Sequence, residues 1–193
     1  EHQTGFKTPG KIYFNDVNVV ALKISNTRAM SKKSHRETPT IVKSSSYFMG
    51  KSLFKASFIF SIHDANDSFS FSGSLEKFWI AHLNSILKNS YLKVESGMVK
   101  KLVFHARANK YRARGTLKFF YNKLKVSLLK RRHRIKRDGA ASFIANQFLK
   151  NDNPKRGRSL RLGYMHHRRT PYESMLKLIW KSFLSGIKTS VGL

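Results

Sequence analysis

The stretch "LFKASFIFSIHDANDSFSFSGSL", residues 53–75, carries the two clearest β-strand patterns of the chain. Large apolar residues alternate with smaller or polar ones from Phe54 to Ile62, and again from Phe69 to Leu75. Successive side chains of a strand point to opposite faces, so each run has one apolar face. The intervening "HDAND" (residues 63–67) is rich in turn-forming residues. The stretch therefore predicts an antiparallel β-hairpin.

The same alternation recurs along the chain at short, regular intervals. Further strands are expected at residues 12–21, 41–48, 113–128 and 160–168, and two more runs, residues 91–96 and 98–109, flank Gly97. Changes of phase at Asn15–Asp16 and Tyr121–Asn122 indicate β-bulges or bends. Strands and long helices do not alternate, which argues against a doubly wound fold. The sequence predicts a mainly β protein with a single domain, a curved antiparallel sheet of about seven to nine strands, and few helices.

A C-terminal amphipathic helix is expected at residues 170–190. Thr170 suits the N-cap, Pro171 suits the first helical position, and Glu173 would complete a capping box. Apolar residues then recur at helical spacing, and their stripe could either cover the sheet or lie on a membrane surface. The candidate sheet-facing or membrane-facing residues are Met175, Ile179, Trp180, Phe183 and Ile187. Shorter helical segments are expected within residues 76–89 and 139–151.

The charge of the chain is strongly positive. Thirty-eight Lys and Arg face ten Asp and Glu, which gives a formal net charge of +28. Such a surplus attracts polyanions, whether nucleic acid or anionic lipid headgroups. The densest run of Lys and Arg, residues 130–137, could be either a site for an anionic surface or the solvated exit from a strand. Its candidate residues are Lys130, Arg131, Arg132, Arg134, Lys136 and Arg137.

Residues with catalytic chemistry are scarce. The chain has no Cys, which excludes disulfides and Cys-based zinc sites. His166 and His167 are adjacent in an expected strand, so their rings point to opposite faces and cannot share a metal. No phosphate-binding glycine loop or nucleophile elbow is present. We therefore expect a protein that is not an enzyme and needs no metal or other cofactor.

The aromatic residues of the expected strands allow two interpretations. They could fill a closed core, or they could line an open apolar groove that an acyl chain covers. The candidates for lipid contact or core are Phe54, Phe58, Phe60, Phe69, Phe71, Phe104, Phe119 and Tyr121.

Four segments, taken in order, resemble a known protein family. They are "GKIYFNDVNVVALKISN" (10–26), "MGKSLFKASFIFSIHDANDSFSFSGSL" (49–75), "VESGMVKKLVFHARANKYRARGTLKFFYNKLKVSLLK" (94–130) and "WKSFLSGIKTSVGL" (180–193). Together they resemble the C-terminal region of Bacteroidetes-type AsmA-like proteins, which are related to the AsmA and TamB group of envelope proteins. The resemblance rests on recurring phrases such as "FSFSGSL" and "GTLKFFYNKLKV", and not on a catalytic signature.

The resemblance implies a long periplasmic protein with an N-terminal inner-membrane helix. In that family a curved sheet forms a hydrophobic groove that is thought to carry phospholipid or to support outer-membrane biogenesis. The expected partners are then phospholipid or a membrane surface, together with an upstream part of the same chain. Because the chain opens with Glu1 and shows neither signal peptide nor membrane span, we expect that the anchor lies upstream.

Two alternatives stay open at this point. The first is a module that binds nucleic acid or anionic lipid headgroups through its basic surface. The second is a purely structural domain that completes a longer sheet, and an exposed, unpaired edge strand near the N-terminus would favour it.

Overall fold

The computed structural model describes residues 11–24, 38–87, 92–128 and 150–193. The eight strands are β1 (Phe14–Leu22), β2 (Thr40–Phe48), β3 (Ser52–Phe60), β4 (Phe69–Leu75), β5 (Phe78–Trp79), β6 (Leu92–Ala108), β7 (Arg112–Leu128) and β8 (Leu162–Arg168). A 3-10 turn (Ile80–Leu83) and a short helix α1 (Asn84–Leu87) precede β6, and helix α2 (Met175–Val191) ends the chain. The helix expected within residues 139–151 lies almost entirely outside the described residues.

The strands form one open antiparallel sheet in the order β1-β2-β3-β4-β6-β7-β8, with β5 paired to β6. The predicted fold class is therefore confirmed, as is the predicted hairpin, in which β3 pairs with β4 and Phe58 lies opposite Phe71. The two runs that flank Gly97 form a single long strand, β6. All neighbours in the sheet are antiparallel.

Strand pairing gives the sheet two chemically different faces. One row of paired residues crosses six strands as Val42, Phe58, Phe71, Ala106, Gly115 and Met165. The next row crosses the same strands as Lys43, Ser57, Ser72, His105, Thr116 and Tyr164. Adjacent rows point to opposite faces. We call the face of the first row the apolar face and that of the second row the basic face.

Both predicted phase changes correspond to irregularities in the strand pairing. The β1–β2 register shifts between Asn15 and Asn18, and Asp16 has a φ of +50°. In β7, Lys123 has a φ of +52°, one residue beyond the predicted position. A bulge of this kind changes which residues face the core. Tyr121 and Leu124 are therefore both buried although they are three residues apart.

Helix α2 packs on the apolar face against β7 and β8. The contact is close because small residues meet there: a Cβ added to Gly163 would lie 2.1 Å from the carbonyl oxygen of Gly186. Small side chains at Ser182 and Ser190 are also fully buried on this side of the helix. The backbone of α2 can therefore approach the backbone of β8 directly.

The predicted start of the last helix is wrong by about one turn. The N-cap is Ser174, whose hydroxyl accepts a hydrogen bond from the backbone N–H of Lys177 at 3.2 Å. Tyr172 has a φ of +64°, a left-handed conformation that cannot continue a helix. Thr170 still pairs with Glu173, because its backbone N–H donates to Glu173 Oε2 at 3.2 Å. That local bond forms in a turn before the helix and not in the helix itself.

The two edges of the sheet differ. At β8, helix hydroxyls bind the outer backbone groups: Thr189 Oγ1 accepts from the Tyr164 N–H at 2.7 Å, and Ser185 Oγ accepts from the His166 N–H at 3.1 Å. The Ser185 hydroxyl also donates to the Tyr164 carbonyl at 2.9 Å. At the opposite edge, every residue of β1 is exposed. The α2 helix thus covers one edge of the sheet, which is one way proteins protect an edge strand.

Candidate functional site

The eight aromatic candidates all lie on strands of the sheet, but burial divides them into two groups. Phe71, Phe104, Phe119 and Tyr121 are buried in the core. Phe54, Phe58, Phe60 and Phe69 are only half-buried. The division follows position in the sheet, because the half-buried residues lie on β3 and β4 and most of the buried ones lie on β6 and β7.

The two groups are in contact. The ring centroids of Phe58 and Phe69 lie 6.3 Å and 5.7 Å from that of Phe71. Phe71 in turn lies 6.2 Å from Phe104, and Phe104 lies 5.5 Å from Phe183 of α2. Aromatic rings at these separations interact favourably. The half-buried rings therefore form the outer part of one aromatic cluster whose inner part is covered by the helix.

A second aromatic group lies near the other end of β3. Phe14 lies 5.5 Å from both Phe48 and Phe54, and Phe48 lies 5.2 Å from Phe78. Phe14 remains 43% exposed. Sequence reasoning did not select Phe14, Phe48 or Phe78 as site residues, although Phe14 and Phe48 stand in the predicted strands. The apolar face thus presents phenylalanine rings along the length of β3.

Coverage of the apolar face is uneven among the described residues. Helix α2 packs on β7 and β8, and no described helix makes an extensive contact with β1 to β4. The helix residues Met175, Ile179, Phe183 and Ile187 are half-buried against the core, so they face the sheet. Trp180 is 46% exposed and stacks on Phe183 with ring centroids 6.2 Å apart. Within the described part of the chain, α2 therefore covers the apolar face at β7 and β8, and no helix covers it at β1 to β4.

Tyr121 is fixed by hydrogen bonds. Its hydroxyl donates to the Lys150 carbonyl at 2.8 Å, and the guanidinium of Arg161 donates to the Tyr121 oxygen at 3.1 Å. Arg161 Nε also donates to the carbonyl of Ser190 near the end of α2 at 3.1 Å. Burial raises the pKa of Tyr121 above its ordinary value. At 1% exposure, this residue belongs to the core and joins β7 to the helix.

Glu173 lies at the centre of a buried ionic cluster. Lys181 Nζ lies 2.8 Å from its Oε1, and His167 Nε2 lies 3.0 Å from its Oε2. The hydrogen bond from Lys181 is the main reason why the pKa of Glu173 falls to about 2. The cluster connects β8, the following turn and α2, which indicates a structural role. No group of His, Asp and Glu side chains within the described ranges could hold a metal ion.

The predicted basic segment and the exposed cations of the sheet lie in different parts of the chain. Lys130–Arg137 falls outside the described residues. Within the described part, exposed arginines alternate with buried small residues along β6 and β7, as at Arg112 and Arg114. Sequence reasoning missed these arginines, although their two-residue spacing in a predicted strand was visible.

Comparison with protein-family models, with curated proteins and with solved structures finds no significant match to this chain. The resemblance to AsmA-like proteins stays a prediction. None of the helices among the described residues is both long and apolar enough to cross a bilayer.

Proposed function

We propose that the partly covered apolar face binds lipid acyl chains, and that this chain is a non-enzymatic part of an envelope protein. In this proposal it contributes to phospholipid transport or outer-membrane biogenesis, and an upstream segment anchors it in the inner membrane from the periplasmic side. The observation that supports the proposal is the row of half-buried rings at Phe54, Phe58, Phe60 and Phe69. Such a row is apolar surface that another molecule could cover.

The physical basis is the transfer of apolar groups out of water. Each methylene of an acyl chain that leaves water contributes about 0.8 kcal/mol. Several methylenes laid along β3 and β4 would therefore give measurable affinity without any ion pair or catalytic group. Phenylalanine suits such a surface, because its side chain is large and has no polar atom to satisfy.

The two faces of β3 provide a direct test by photo-crosslinking. A benzophenone-bearing amino acid is placed at Phe54 or Phe58 on the apolar face, or at Lys55 on the basic face. Lys55 is exposed, so a probe there is accessible to lipid. After irradiation with phospholipid vesicles, we expect lipid adducts by mass spectrometry at Phe54 and Phe58 and few at Lys55. Equal labelling on both faces, or none at Phe54 and Phe58 in a folded protein, would contradict the proposal.

A second candidate function is completion of a longer β-sheet. The observation that favours it is strand β1, which is exposed at every position although it carries Val17, Val19, Val20 and Leu22. Among the described residues β1 pairs on one side only, and a strand of this kind that is apolar on both faces is suited to accept another strand. The two candidates are compatible, because one uses a face of the sheet and the other uses an edge.

A further inference from the structure

The basic face carries a dense group of arginines at the turn between β6 and β7. Arg107 of β6 lies directly opposite Arg114 of β7, and Arg112 of β7 lies directly opposite Arg168 of β8. All four are exposed. We call these four residues the arginine patch. His166, opposite Arg114, extends the same group of cationic or titratable side chains.

No carboxylate neutralises the arginine patch within the described residues. The ion pairs found there involve Glu76, with Lys101 at 3.3 Å, and Glu173, with Lys181 and His167. Like charges placed directly opposite each other in a sheet are destabilising. The sheet has two such pairs side by side, Arg107 with Arg114 and Arg112 with Arg168. An anionic ligand bound between them would offset their repulsion.

The patch borders a concave site. Arg107 and Arg112 line an open pocket of about 410 Å³ at the end of the sheet. Its other walls include the hydroxyl residues Ser68 and Ser70 and the apolar residues Ile59 and Phe60, and no carboxylate of the described residues lines it. Pockets that bind small ligands have volumes of roughly 300–1,000 Å³. The site therefore combines two guanidinium groups, hydroxyls and adjacent apolar surface.

We infer that the arginine patch and its pocket bind the phosphate group of an anionic lipid headgroup. Guanidinium groups match phosphate oxygens in shape and can donate two parallel hydrogen bonds to them. The apolar wall beside the arginines, with Ile59 and Phe60, suits the acyl carbons next to the headgroup of an amphiphile. The pocket shares Phe60 with the apolar face, but the inference rests on phosphate binding by Arg107 and Arg112, which does not require acyl-chain binding along β3.

The test compares two double variants of the whole chain. In the first, Arg107→Gln and Arg112→Gln remove both arginines of the pocket. In the second, Arg156→Gln and Arg158→Gln remove two exposed arginines from the loop that precedes β8. That loop is attached through Asn153 to Tyr121, which lies roughly 20 Å along β7 from Arg114. The two variants therefore have the same net charge but differ at the patch.

Vesicles of phosphatidylglycerol and phosphatidylcholine in equal parts provide the first measurement, with pure phosphatidylcholine as reference. Each cation near an anionic bilayer strengthens binding about fivefold, so the pocket variant should bind about 25-fold more weakly than the unmodified chain. The loop variant should change much less. Equal losses in both variants, or no loss in the pocket variant, would overturn the inference.

Two further probes distinguish the source of the phosphate. Inorganic phosphate could bind through Arg107 and Arg112 while the unmodified chain does not bind vesicles. In that case the site binds a soluble phosphate compound and the lipid inference fails. If a single-stranded oligonucleotide depends on the two arginines and vesicle binding does not, the ligand is nucleic acid and the inference fails as well. Melting temperatures check folding, which we expect to be retained because the pocket variant removes like-charge repulsion.

Discussion

Glu173 connects three parts of the chain through one carboxylate. It contacts His167 on β8, the backbone of Thr170 in the turn, and Lys181 on α2. Its side chain is only 1% exposed, so its charge is stabilised by these partners and not by water. The packing of α2 therefore depends on the ionised state of the Glu173 carboxylate, because that charge is bound to Lys181 of the helix.

The Glu173 cluster should make stability depend on acid pH. Its pKa falls from an ordinary 4.5 to about 2 on folding. The stabilisation is therefore complete above pH 4.5 and is lost as the pH falls toward 2. We expect Glu173→Gln to lower the free energy of unfolding near neutral pH and to flatten its decline in this range. Urea titrations at several pH values measure both effects.

The matched control for this prediction is Glu95→Gln, because Glu95 is exposed on β6. It should leave the pH dependence close to that of the unmodified chain. Parallel curves for Glu173→Gln and the unmodified chain would show that the cluster does not carry the effect.

At the scale of elements, α2 and β8 depend on each other. The helix supplies the hydroxyls of Ser185 and Thr189 to the outer edge of β8, and β8 supplies the flat surface at Gly163 on which the helix packs. Hydroxyls placed four residues apart lie on one side of a helix and can follow the repeat of a strand edge. The close approach of α2 to β8 at Gly186 brings these two hydroxyls within hydrogen-bonding distance of the β8 backbone.

A Gly163→Ala substitution should separate the two elements. The new Cβ would lie 2.1 Å from the Gly186 oxygen, a backbone atom that cannot move without the helix. Overpacking of this kind destabilises proteins by roughly 1–3 kcal/mol. We expect a lower urea midpoint for this variant, whereas Lys188→Ala on the exposed side of α2 should have little effect. A variant as stable as the unmodified chain would contradict the close packing.

The sequence was sufficient for the strands but not for what covers them. Period-two alternation predicted the β3–β4 hairpin and both bulges, because strand geometry is local. It could not predict that Phe58 stays half-buried while Phe104 is covered, because that depends on where α2 packs. The packing residues Ser182 and Gly186 are small, so they do not stand out beside the large apolar residues of the helix. Glu173 matched a local capping motif, but its main partner, Lys181, lies on the following helix.

At the scale of the whole molecule, the sheet is protected at one edge and accessible at the other. Val17 and Val19 of β1 are each 58% exposed, although β-branched residues usually pack against neighbours in a sheet. Among the described residues, β1 pairs with β2 alone. We therefore expect this exposed edge to be the main contact when copies of the chain associate.

We expect copies of the chain to associate through β1 as concentration rises. Val17→Lys with Val19→Lys should weaken this association, since charged side chains on an edge strand oppose pairing. The control pair is Leu176→Lys with Leu184→Lys, which adds the same charge at exposed apolar positions of α2. Sedimentation equilibrium measures the association constant of each. Equal effects of the two pairs, or no association of the unmodified chain, would reject β1 as the contact.

The hydroxyls of Ser185 and Thr189 also limit the stoichiometry of such an association. Two copies joined at β1 by a two-fold axis would each present a closed β8 outward. Growth would then stop at the dimer, since the backbone N–H groups of Tyr164 and His166 and the Tyr164 carbonyl are already bound to helix hydroxyls. The hydroxyls of Ser185 and Thr189 would thus limit association to a dimer, whereas a fibre needs two open edges in every subunit.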